Sequence, residues 1–90
     1  MSKHQYFTTI EDRREYIGER YFRFSLTKDQ VVQVVMTGGQ LKRGRSNSPG
    51  IMFITNTTFL TNYYGMQYIR PCTKGMFDKK FDAVVKIMKA

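Results

Sequence analysis

The C-terminal stretch GMFDKKFDAVVKIMKA repeats Phe77, Phe81, Val84, Val85 and Met88 at helical spacing, with Lys79, Lys80, Asp82, Lys86 and Lys89 outside that stripe. An isolated helix of this length is marginal in water, so the stripe has to be buried against another surface. The chain supplies one in IMFITNTTFLTNYYGMQYIR, which is β-branched and aromatic, with breaks at Asn-Thr and at Gly65. That composition predicts two or three antiparallel strands spanning 51–70, ended by Pro71.

Upstream, YFRFSL alternates, with Phe22, Phe24 and Leu26 pointing one way and Tyr21, Arg23 and Ser25 the other, as in a half-buried strand. Thr8 and Thr9 precede IEDRREYIGERY, where Glu11 and Asp12 suit the positive end of a helix dipole, and a helix is expected near residues 9–19. LTKDQVVQVVMTGG reads two ways. Its valines favour a strand, which would pair with YFRFSL through a Lys28-Asp29 turn. The spacing of Gln30, Gln33 and Thr37, with Gly38 and Gly39 as a stop, favours a helix over 28–37, and a helix is expected there.

Ninety residues support one core. The expected architecture is α+β: a small single domain, 1–90, with an antiparallel sheet of three to four strands packed against two or three helices, including the amphipathic C-terminal one. Phe22, Phe24, Phe53 and Phe59 are expected in the core, with tyrosines nearer the surface because a buried hydroxyl needs a partner.

The net charge of +8 points toward polyanionic partners, and it is unevenly spread. Residues 1–29 hold six cations against five anions, whereas residues 30–77 hold Lys42, Arg43, Arg45, Arg70 and Lys74 and no carboxylate. A phosphate-binding face would lack carboxylates in this way; a neutral buried sheet would too. The stretch GGQLKRGRSNSPG gathers Lys42, Arg43 and Arg45 in a Gly/Ser-rich segment that reads as a basic loop, with Gly44 allowing close backbone approach to a phosphate.

Catalytic and metal sites are not expected. His4 is the sole histidine and Cys72 the sole cysteine, without neighbouring ligands or a base in sequence. The glycines around the basic stretch lack the strand–turn–helix setting of a phosphate-cradling loop. No cofactor is implied. The N-terminus shows no apolar targeting segment and no run long enough to span a membrane, so a cytoplasmic protein is expected.

What is left is cations interleaved with aromatics. A basic loop of Lys42, Arg43 and Arg45, with Arg23, Tyr63, Tyr68, Arg70 and Lys74 on or beside a sheet face, would neutralise phosphates and stack bases. The leading expectation is a small non-enzymatic binder of RNA or single-stranded DNA. Its alternative is a regulator or inhibitor docking on an acidic protein surface, since in composition the chain is similar to small phage-encoded proteins. A toxin-type ribonuclease built on Arg, Lys and Tyr is a third.

Overall fold

A computed structural model describes residues 3–38 and 49–89. Five antiparallel strands form one sheet: β1 (His4–Thr9), β2 (Gly18–Ser25), β3 (Val31–Gly38), β4 (Gly50–Ile54) and β5 (Ile69–Pro71). Their spatial order is β4-β3-β2-β1-β5. A 3-10 turn (Glu11–Arg13) and the single-turn helix α1 (Arg14–Ile17) join β1 to β2. Helix α2 (Asn56–Phe59) runs into a π-helical turn (Leu60–Tyr64), and the C-terminal helix α3 spans Lys74–Lys89. The α+β class and the amphipathic last helix are as the sequence predicts.

Both faces of the sheet are covered. Phe7, Phe22 and Val31 meet Phe59 on one face, with Phe24, Ile54, Tyr63 and Ile69 packed around them. Tyr21, Val32 and Val34 meet Phe77 and Val84 of α3 on the other. To reach β5 from β4, the chain therefore crosses from one sheet edge to the other over the first face.

Burial on both faces explains the first correction: residues 31–38 form strand β3, not the expected helix. A strand covered twice reads as a nearly continuous apolar run, so VVQVV shows no period-2 alternation. Gln33 mimics a helical polar stripe, yet it is only 2 % exposed and accepts a hydrogen bond from Arg20 Nη1 through Oε1 at 2.8 Å. Loop residues 26–30 connect β2 to β3 around the anticipated Lys28-Asp29 turn.

The helix expected near 9–19 shrinks to residues 11–17, because Thr8 and Thr9 belong to β1 and Gly18 ends the turn at φ 89°, a backbone region that favours glycine. Their buried hydroxyls donate to the Arg20 and Gly18 carbonyls instead of capping a helix. Strand β1, unanticipated, pairs with both β2 and β5.

Within 51–70, only the ends are strands. Thr55 caps α2 by accepting the Thr58 N–H at 3.1 Å, so the Asn-Thr pair taken for a strand break is a helix start. Gly65 N–H closes the π turn on the Leu60 carbonyl at 2.6 Å. Of the expected core phenylalanines, Phe22 and Phe59 are fully buried and Phe24 packs beside them, but Phe53 is 66 % exposed on the edge strand β4. Leu26 lies beyond the end of β2 and is exposed as well.

Candidate anion site

Antiparallel pairing places His4 opposite Ser25 and Tyr6 opposite Arg23, which brings the start of β1 beside the β2–β3 loop. A cavity of about 340 Å³ opens at this corner. Lys3, Arg23 and Lys28 supply its cations; His4, Thr27 and Gln30 add polar groups; Ser25 and Val32 complete its wall. Among the described residues, no carboxylate lines it.

The backbone here is fastened. Leu26 N–H donates to the Lys3 carbonyl at 2.9 Å, tying the first lysine to the loop. Ser25 Oγ accepts the N–H of Thr27 at 3.3 Å and of Lys28 at 3.0 Å. From α2, Asn56 Nδ2 donates to the carbonyls of Ser25 and Lys28 at 3.3 and 3.1 Å, pinning the loop from behind. Asp29, the carboxylate nearest in sequence, turns away and accepts the Asn56 N–H through Oδ1 at 2.8 Å.

The other carboxylates of the N-terminal third are also engaged or distant. Glu11 meets Arg70 at 2.7 Å, and this hydrogen bond and charge hold its carboxyl below the usual range. Glu19 accepts from Tyr21 Oη at 2.6 Å and lies 3.7 Å from Lys80 Nζ. Burial, with the neighbouring Glu19 second, pushes the Tyr21 phenol up. The three cavity cations thus form no ion pair with a carboxylate among the described residues. Arg23 instead lays its guanidinium carbon 5.6 Å from the centroid of the Phe77 ring, a cation–π contact that holds it in place.

The anticipated site residues do not share one face. Arg23 and Arg70 lie on the α3 side of the sheet, two strands apart. Arg70 is occupied by Glu11, and it borders a separate, largely apolar cavity of about 380 Å³ with Phe7, Tyr64 and Ile69. Lys74 begins α3 and is ion-paired with Asp78 at 2.6 Å; the hydrogen bond to Asp78, then its charge, raises the Lys74 pKa, while nearby Arg23 opposes the rise. Tyr63 lies on the opposite face, its ring 4.8 Å from that of Phe22 and its hydroxyl donating to Gln33 Oε1 at 3.2 Å. Tyr68 is half-buried; its carbonyl accepts from Ile10 N–H and its own N–H donates to the Tyr63 carbonyl. Lys42, Arg43 and Arg45 lie outside the described residues.

The carboxylate-free middle segment is therefore not carboxylate-free in space, since Arg70 and Lys74 each meet an acid from a flanking segment. The uncompensated cluster comes from residues 1–29, where six cations face five anions along the chain. Sequence reading missed Lys3, His4 and Lys28, because HQYFTT carries no period-2 alternation to announce β1 and its pairing against YFRFS.

Elsewhere, no His, Cys, Asp or Glu cluster among the described residues has the makings of a metal site. Burial pushes the Cys72 thiol up, against the pull of Arg70, which leaves it a weak nucleophile. Among the described residues, no helix is long and apolar enough to cross a membrane. Comparison with known proteins finds no matching family model, no matching curated protein and no matching solved structure.

Proposed function

We propose that the protein binds single-stranded nucleic acid, RNA or DNA, without catalysing a reaction, and that the phosphates contact the corner cavity. One observation carries this reading: Lys3, Arg23 and Lys28, from three separate elements, converge on a cavity that no carboxylate among the described residues lines. Three cations crowded together repel one another, and a bound anion relieves that repulsion. The net charge of +8 adds a long-range attraction for a polyanion. A single strand fits better than a duplex, because a cavity of this size admits one phosphate-bearing unit and not a rigid double helix.

Fluorescence anisotropy of labelled single-stranded RNA and DNA, at about 50 and 200 mM salt, tests the reading. Each phosphate neutralised on a single strand contributes about 0.7 to the slope of log K against log salt, so the one phosphate held in the cavity accounts for about 0.7 of it. Lys28→Gln weakens binding and flattens its dependence on salt. No binding at the lower salt overturns the proposal and turns attention to an acidic protein partner.

A further inference from the structure

We infer that the corner cavity is a pocket for a terminal phosphate monoester, so that the protein prefers the phosphorylated end of a strand to its interior. The inference rests on the nucleic-acid reading and refines which part of the ligand enters the site.

Charge is the first argument. A backbone phosphodiester carries one negative charge, whereas a monoester carries about 1.5 to 2 at neutral pH and presents three acceptor oxygens. Lys3, Arg23 and Lys28 set three cationic residues around one cavity, and a diester would leave most of that charge uncompensated. Donor supply points the same way. The lining residues Lys3, Lys28, Thr27, Gln30 and Arg23 carry more N–H and O–H groups than the two free oxygens of a diester can accept.

Shape is the second argument. About 340 Å³ is the volume of roughly eleven waters, enough for a phosphate and part of its sugar. Its lining comes from the start of β1, from β2 and from the loop, and it opens to solvent, so a group at the free end of a strand can reach it. The site is also prepared in advance: the Lys3 carbonyl is bonded to Leu26, the Lys28 N–H to Ser25 Oγ and the Lys28 carbonyl to Asn56. Little backbone ordering is then left to oppose binding.

The test compares four ligands: one short oligoribonucleotide with hydroxyl ends, the same strand with a 5′-phosphate, the same strand with a 3′-phosphate, and a nucleoside 5′-monophosphate alone. One phosphorylated strand should bind at least about tenfold tighter than the hydroxyl-ended strand, as one added charge-assisted contact gives. Lys28→Gln and Lys3→Gln, both at exposed positions, should erase that difference, while Lys86→Gln on α3 should preserve it. Arg23 is left intact because its stacking on Phe77 also supports the fold.

Equal binding of all three strands overturns the monoester pocket and leaves the nucleic-acid reading standing. A phosphate preference that survives both lysine variants also overturns it, by placing the preference elsewhere. No binding of any strand overturns the nucleic-acid reading; if the nucleoside monophosphate then binds and Lys28→Gln abolishes it, the pocket is a mononucleotide site, and if it does not bind, the pocket assignment fails too.

Discussion

Replacing Phe59 by Ala and, separately, Phe53 by Ala tests the helical crossing over the sheet more directly than any other pair of changes. The ring of Phe59 is fully buried, with centroids of Phe22, Phe7 and Phe24 at 5.0, 5.4 and 5.6 Å and that of Tyr63 at 6.2 Å. Removing a ring so enclosed leaves a cavity that the rigid sheet cannot fill, and costs about 3 to 5 kcal/mol. A domain of this size has about 5 to 13 kcal/mol in all. Phe53 is 66 % exposed on an edge strand, so its loss costs about 1 kcal/mol or less. Urea unfolding followed by circular dichroism reads the difference. With a slope of about 1.5 kcal/mol per M, Phe59→Ala lowers the midpoint by about 2 to 3 M, and Phe53→Ala by well under 1 M. Similar shifts for the two variants, or a larger one for Phe53→Ala, would mean that residues 55–64 do not lie over the sheet as described.

Gly65→Ala distinguishes a π turn from an ordinary helix end by the sign of its effect. In a regular helix the change stabilises by up to about 1 kcal/mol, but here the new Cβ falls 2.9 Å from the Leu60 carbonyl oxygen and 3.4 Å from that of Thr61, so a loss of about 1 to 2 kcal/mol is expected in thermal melts. Arg70→Met should destabilise the protein at neutral pH and not in strong acid. Arg70 lowers the Glu11 pKa from its ordinary 4.5, so the pair contributes stability above that value and loses it as pH falls through the lower folded value. The two melting curves should converge near pH 2, and added salt should shrink the neutral-pH gap because both groups are exposed.

Helix α3, which buries one stripe, was legible in the sequence; of the two central strands that bury both faces, β2 was legible and β3 was not. Phe77, Phe81 and Val84 announce α3 because its outer side stays in water, and β2 shows through because polar Arg23 and Ser25 alternate with Phe22 and Phe24, although Tyr21 is buried too. β3 hides its period because Val31 and Val32 are buried on opposite faces, and its one polar core residue, Gln33, answers to Arg20, 13 residues away in sequence. Capping chemistry was misread for a related reason: Thr8 and Thr9 have the look of helix caps but bond across strands, while Thr55 caps a helix where a strand was expected. The site suffered from counting charge along the chain. An ion pair such as Arg70 with Glu11 spans 59 residues, and the corner cluster joins Lys3 to Lys28, so neither balance nor excess is visible until the register of β1 and β2 is known.

The strand order carries a kinetic consequence. β1 sits between β2, its near neighbour along the chain, and β5, whose residues follow sixty or more positions after it. During synthesis, the β1–β2–β3 meander can pair as soon as it emerges, but one edge of β1 keeps its amide and carbonyl groups unpaired until Ile69–Pro71 arrive. Both apolar faces wait as well, one for Phe59 and the other for Phe77 and Val84. A nascent chain stopped before residue 69 would therefore present an open strand edge flanked by bare aromatic surface, a species prone to pair with copies of itself. Long-range closure of this kind slows folding, and it makes the final third of the chain the step that converts a sticky meander into a finished domain.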